Sequence, residues 1–250
     1  MNFPDFHPIK PPIATSIAMV ASVAIAVAIE TPARGFQIFF GEDTVNPQAL
    51  VNSTAAEADF LSNLVGVGTE TFETFTDGQI SPLVLGFPGA GNATLLGDGE
   101  IQTGNSTGRF PISGSQYWET NSSFSIDFSE EIAAFGFYGT DIGDFNGQIT
   151  LLLENTLTSF SQLLTINNTI DAPNGSALYY GLIAETGELF NKITFGNTNS
   201  GTDFLGFDDM TIGSVAQVDP QSVPEPASVI ALMAIGTVGI ASALKRKPQR

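Results

Sequence analysis

From Thr71 to Ile212 the chain is a succession of short runs rich in Phe, Ile, Leu, Thr and Tyr, cut at close intervals by Gly, Asn, Asp and Ser. Phe124-Ser125-Ile126-Asp127-Phe128 alternates apolar and polar side chains, so an extended strand would bury one face and wet the other. Thr71–Phe75 is a less regular strand of the same kind. Ala134–Tyr138, Gln148–Leu153, Leu163–Ile166, Leu178–Ile183, Lys192–Phe195 and Met210–Ile212 are further strands. Asp77-Gly78, Asp98-Gly99, Asn146-Gly147 and Asn174-Gly175 supply turn chemistry between them. Many short strands with glycine-rich turns predict an all-β fold, an antiparallel β-sandwich or jelly roll. The 20 phenylalanines read as its filling. One helix is expected near residues 47–64. There Asn46 can cap, Pro47 fits the first turn, and Leu50, Ala58, Leu61 and Leu64 give partial helical spacing.

The charge is lopsided. The chain carries a net −18, yet the span 35–221 holds only Arg109 and Lys192 against 23 acids, a net −21. Such a surface repels phosphate backbones, so no nucleic-acid partner is expected. It favours hard cations such as Ca²⁺. There is no cysteine, which excludes disulfides, thiolate metal sites and a cysteine nucleophile. The single histidine, His7, lies near the N-terminus, outside the β-rich span. That span therefore has no histidine for a Ser-His-Asp triad or a zinc site.

Both ends are apolar. Ile13–Ile29 is a 17-residue uncharged run, and Ala26-Val27-Ala28 offers the small-x-small pattern of a signal-peptidase site. Residues 1–28 read as a secretory signal, with cleavage as late as Ala33; the other reading is an uncleaved anchor. The acidic domain is expected over 36–217, followed by a Pro-rich linker over 218–228. Val229–Leu244 carries no charge, and Lys245, Arg246, Lys247 and Arg250 follow. Ala227–Leu244 as a helix is 18 residues, about 27 Å, enough to cross a hydrocarbon core. The basic tail, 245–250, would stay cytoplasmic and the acidic domain outside.

This ending resembles the PEP-CTERM sorting signal of bacteria that produce exopolysaccharide: Val223–Ser228 for the motif, Val229–Leu244 for the helix, Lys245–Arg250 for the tail. The resemblance implies that Pro224, Glu225 and Pro226 are the element recognised by an exosortase-type processing enzyme. Two prolines would hold an extended segment just above the bilayer. The expected location is the membrane first, then the cell surface or extracellular matrix of a bacterium.

Phe72-Glu73 and Asp208-Asp209-Met210-Thr211-Ile212 resemble the first and last strands of jelly-roll carbohydrate-binding modules. That resemblance implies a structural Ca²⁺ held by Glu73 and Asp209, with Asp208 as a third ligand. Tyr117-Trp118 and Phe137-Tyr138 are paired aromatics of the kind that can stack on sugar rings, which makes Trp118, Tyr117 and Tyr138 the candidate ligand rings; for Trp118 a buried core role is the favoured reading. The leading expectation is a non-enzymatic exported surface protein, structural or binding extracellular polysaccharide. One alternative is a carboxylate-dependent glycan hydrolase using two of Glu70, Glu73, Glu100, Glu119, Glu130 and Glu131. The other is an unprocessed membrane-tethered adhesin.

Overall fold

A computed structural model describes residues 35–44, 49–185, 187–199 and 203–219. The chain divides into two compact units, Met1–Pro32 and Ala33–Arg250, and every described residue belongs to the second. The signal segment, Pro224, Glu225, Pro226, the helix 229–244 and the basic tail lie outside the described residues. Among the described residues no helix is long and apolar enough to cross a membrane.

The described chain forms thirteen strands and one α-helix. They run β1 (Phe36–Asp43), α1 (Val51–Leu61), β2 (Thr69–Glu70), β3 (Leu83–Phe87), β4 (Gly91–Gly97), β5 (Glu100–Thr103), β6 (Gln116–Thr120) and β7 (Phe124–Ile132). Then follow β8 (Ala134–Thr140), β9 (Ile149–Glu154), β10 (Ser161–Thr165), β11 (Ala177–Ala184), β12 (Phe190–Asn197) and β13 (Leu205–Gly213). One sheet has the order β1-β11-β8-β13-β6-β5, with β2 paired to β13; the other has the order β10-β9-β12-β7-β4-β3. All pairs are antiparallel. This is the two-sheet, one-helix β architecture expected from the sequence.

The main core lies between the sheets, and Phe195 sits at its middle. Its ring stacks on Phe124 at 4.2 Å and meets Phe137 and Phe207 edge-on at 5.1 and 5.4 Å. Burying each such ring contributes about 1.5–3 kcal/mol. A second, smaller core forms where α1 lies on the outer face of the seven-stranded sheet. It joins Ala56, Phe60 and Leu64 to Ala134, Tyr138, Tyr179 and Ile183. The helix can approach because Gly41, Gly136 and Gly181 present no side chain beneath it. A Cβ on Gly181 would stand 2.7 Å from the Phe60 ring, and one on Gly41 would collide with the Asn52 carbonyl.

The helix is shorter than 47–64 and is capped differently from the expectation. Asn46 and Pro47 lie outside the described residues. The cap comes from the end of β1. The Asp43 carboxylate accepts the N–H groups of Asn52 (3.0 Å) and Ser53 (2.9 Å) and the Ser53 hydroxyl (2.6 Å). Those donors are otherwise unpaired at a helix start. Burial pushes the Asp43 carboxyl up, but these hydrogen bonds outweigh it, and its pKa lies below the ordinary value. A second correction concerns Thr71–Phe75, which is a turn and not a strand. Phe72 takes a left-handed conformation (φ 59°), and the Phe75 N–H donates to its carbonyl.

Candidate functional site

The connection from β5 to β6, residues 104–115, lies as a strap across the outer face of the seven-stranded sheet. Carboxylates hold it along its length. Asp208 Oδ2 accepts the N–H groups of Ile112 (2.7 Å) and Ser113 (3.2 Å). Asp209 Oδ1 accepts the Ser113 hydroxyl at 2.6 Å. Glu73 accepts the Ser115 N–H (2.7 Å) and hydroxyl (3.0 Å) and the Gln116 N–H (2.6 Å). Gly114, with φ +60°, sits where a Cβ would strike the Glu73 carboxyl, so only glycine lets the strap settle there.

In a regular strand Asp208 and Asp209 would point to opposite faces. Here the β13–β8 register shifts between Asp208 and Thr211, and Asp209 adopts φ +47°. This bulge turns both carboxyls toward the same strap. Burial pushes the Asp208 carboxyl up to about 8, the Asp209 charge adds to the shift, and three N–H bonds oppose it. Burial likewise raises Asp209, opposed by the Ser113 hydroxyl and reinforced by Glu73. The Ser115 N–H lowers Glu73.

The three residues implied as calcium ligands all meet the strap and its junction with β6, where the fold uses them to accept hydrogen bonds. Among the described residues, no three His, Asp or Glu side chains form a group that could hold a metal.

Burial removes the candidate stacking rings and leaves Trp118 in the core role favoured for it. Tyr117 and Trp118 are 0% exposed and Tyr138 is 1% exposed, so none offers a ring face to a ligand. β6 is covered on both sides. Trp118 faces the main core against Phe124, and the Tyr117 ring lies on the outer face beside Glu119. Tyr138 is roofed by α1 and donates its hydroxyl to Glu57 at 2.9 Å.

The glutamates considered for hydrolysis are spread over both sheets. Glu70 is on β2, Glu130 and Glu131 are on β7, and Glu73 holds the strap. Only Glu100 and Glu119 are direct cross-strand partners. Glu119 Oε2 is committed to Arg109 Nε at 2.6 Å.

Arg109 organises the neighbouring end of the sandwich. Its guanidinium also pairs with Asp141 at 3.1 Å and donates to the Thr107 carbonyl (2.7 Å) and the Ser106 hydroxyl (3.1 Å). Its carbon lies 5.4 Å from the centroid of the Phe204 ring. A locked cation therefore backs one face of Phe204, while the residue keeps 44% of its surface exposed. Phe204 borders a depression of about 210 Å³, with Asp98, Gly99, Glu100, Glu119, Thr120 and Asn121 as its other walls. Neither Arg109 nor Phe204 was singled out from the sequence. The available signal was one arginine among many acids, which must be drawn into ion pairs when it is buried.

A cluster of acids gathers around Asn174. Asp141, 1% exposed, accepts the Gly175 N–H at 3.0 Å. The Asn174 amide donates to Asp141 Oδ1 (3.2 Å) and Asp144 Oδ2 (2.8 Å). Asp203 adds its negative charge beside Asp144. Burial, Asp203 and the Asp141 charge push Asp144 up to about 7.

The architecture is an antiparallel β-sandwich with one covered outer face. The chain also carries, at residues 222–247, a PEP-CTERM protein-sorting motif, as its Pro-Glu-Pro ending implied. No curated protein matches the chain in sequence. Among solved structures, the K2 cleaved adhesin domain of Lys-gingipain is similar over 59% of this chain and 97% of that one, at 14% identity and a TM-score of 0.38. The C-terminal family 22 carbohydrate-binding module of Clostridium thermocellum Xyn10B is similar over 60% and 94%, at 14% identity and a TM-score of 0.37. TmCBM61, solved with β-1,4-galactotriose, is similar over 58% and 94%, at 16% identity and a TM-score of 0.30. Likenesses this weak carry no statement about a site or a ligand.

Proposed function

We propose that this is an exported, non-enzymatic cell-surface protein whose β-sandwich binds extracellular polysaccharide at the Phe204 depression. The observation that carries the binding role is Phe204 itself. It is an exposed ring, fixed from behind by Arg109, above a hollow lined with carboxylate, hydroxyl and amide groups. A rigid aromatic face beside polar groups suits the apolar face and hydroxyl rim of a sugar ring. The non-enzymatic reading follows from the lack of histidine and cysteine beyond residue 7 and from the engagement of Glu119 by Arg109.

Export follows from the sorting motif together with the N-terminal apolar run. The helix 229–244 would hold the chain in the membrane, with Lys245, Arg246, Lys247 and Arg250 inside, until an exosortase-type enzyme acts at Pro224-Glu225-Pro226. Mass spectrometry of the surface-exposed protein tests this step. Loss of the residues beyond the motif is expected; retention through Arg250 would leave the tethered-adhesin reading.

Affinity electrophoresis of the full-length protein in detergent, through gels containing soluble xylan, galactan or the producer's own exopolysaccharide, tests binding. Wild type should be retarded by at least one of these, and Phe204→Ala should migrate freely. Equal migration of the two proteins in every gel would remove the binding role. Calcium is tested separately by thermal unfolding in EGTA and in millimolar Ca²⁺. The hydrogen bonding of Glu73, Asp208 and Asp209 predicts the same midpoint in both. A calcium-induced rise that Asp209→Ala abolishes would establish these residues as ligands.

A further inference from the structure

We infer that the flank of the sandwich formed by β1 and β10 is a self-association surface, on which β10 of a second copy of this chain adds antiparallel to β10 of the first across a two-fold axis at Leu163. This pairing is independent of the function proposed above.

β1 ends the seven-stranded sheet and β10 ends the six-stranded sheet. They lie one over the other on the same flank. The Phe36 ring, at the start of β1, meets Phe160, just before β10, edge-on at 6.3 Å. Toward the other end of both strands, the Glu42 carboxylate accepts the Thr169 N–H at 2.9 Å and its hydroxyl at 2.7 Å. The ladder fixes which backbone groups of β10 are left over. The Asn155 N–H donates to the Phe160 carbonyl at 3.0 Å, and the Ile166 N–H donates to the Ile149 carbonyl at 2.9 Å. Along an antiparallel strand, hydrogen-bonded and non-bonded positions alternate. Positions 160, 162, 164 and 166 therefore bond β9, while Ser161, Leu163 and Thr165 turn their N–H and C=O groups away from the sheet. Among the described residues, the one side chain that meets these groups is Gln162, whose amide donates to the Leu163 carbonyl at 3.1 Å.

Such an edge is a template for another strand. β10 has none of the features that prevent pairing: no charge, proline or register shift interrupts Ser161–Thr165. The opposite flank is closed, because Ile80 bridges to Glu100 on β5 and Pro82 leads into β3. Charge selects the partner. The span 35–221 carries a net −21, so two copies repel wherever acid meets acid. The β1–β10 flank avoids this. No charged residue occurs from Phe36 to Gly41 or from Asn155 to Ile170. Ile38, Phe40 and Leu163 are exposed there. Glu154, one strand inward, is the direct cross-strand partner of Lys192. The edge is also self-complementary. With Leu163 opposite Leu163 of the second copy, each Ser161 faces a Thr165, and the outward groups exchange about six hydrogen bonds. The two six-stranded sheets then continue as one, and Ile38 and Phe40 of both copies come toward the same joint.

The test uses the full-length protein in detergent. The chain has no cysteine, so Leu163→Cys introduces a single thiol. Hydrogen-bonded antiparallel partners lie about 5.5 Å apart at Cα, within disulfide reach. Oxidation by copper–phenanthroline should give a covalent dimer on a non-reducing gel. Val84→Cys, on the exposed edge strand of the opposite flank, should stay a single chain. Light scattering should give the protein mass of two chains for wild type, with tighter association as NaCl rises, because salt screens the residual repulsion. Leu163→Lys sets like charges opposite each other and should weaken the dimer about tenfold, while its circular dichroism stays that of wild type. A one-chain mass for wild type at every concentration and salt would overturn the pairing. So would equal cross-linking through Leu163→Cys and Val84→Cys. A dimer that survives Leu163→Lys would also overturn it and move the contact to another part of the chain.

Discussion

In the six-stranded sheet, β3 and β9 alternate buried and open positions along their length. In the seven-stranded sheet, β8, β11 and β13 bury every residue. The first pattern belongs to a sheet with a core on one side and water on the other; the second belongs to a sheet covered twice. The cover is α1 on one half of the face and the 104–115 strap on the other. It changes the chemistry. On the covered sheet, polar groups are fixed by specific bonds: Asp43 to the helix start, Tyr138 to Glu57, Asp208 and Asp209 to Ser113. On the open sheet, Lys192 and Asp127 meet at 3.6 Å with 33% and 45% of their side chains exposed, an ion pair of little energetic weight. The acidic character of the chain is thus structural on one sheet and solvating on the other.

Phe60→Ala should separate the sheets most sharply. It empties the second core while leaving Phe195 and its neighbours untouched. A loss of about 3–5 kcal/mol in chemical denaturation is expected, against less than about 0.5 kcal/mol for Leu163→Ala on the open sheet, where Leu163 is 59% exposed. Equal effects would mean that α1 adds nothing to the covered face. Next in size is a pair of glycines. Gly181→Val forces a branched side chain into Phe60 and should cost about 1–3 kcal/mol. Gly86→Val on β3 meets only the end of the Asn92 side chain, at 3.9 Å, and should be near neutral by the same measurement. Smallest is Asp43→Ala, which removes the cap of α1 at a cost of about 1 kcal/mol. Its folded pKa is lowered, so wild type loses this contribution as pH falls below about 4, and the variant has none to lose. A thermal-midpoint profile that separates the two proteins at pH 7 and joins them in acid would confirm the sign.

The same comparison explains what could be read from the sequence. β7 announced itself by alternation because its outer face is wet. The apolar centres of β8, β9, β11 and β12 were legible as short runs. β3, β4, β5 and β6 were not. Val84 is apolar yet 64% exposed, which blurs the period of β3, and β4 begins and ends in glycine. Covering β6 on both sides hides Tyr117 and Trp118, and adjacency alone could not show that. The acids Glu73, Asp208 and Asp209 were found by resemblance. Their convergence on Ser113–Gln116 depends on a bulge whose φ no residue pattern specifies. Asn46 and Pro47 pointed to a helix start near them, but the cap comes from Asp43 through contact with the preceding strand.

The last described residues leave the sandwich beside the helix and not from the end of a free strand. Leu64 and Val218 form an isolated bridge, the Asp219 N–H donates to Asn63, and Gln217 reaches the carbonyls of Gly66 and Pro88. A chain tethered through its far end would feel tension first at this latch. Shear on the surface would have to unfasten Val218 from Leu64 before any pull reached β13, so the latch would act as a mechanical fuse that gives way ahead of the barrier guarding the Phe195 core.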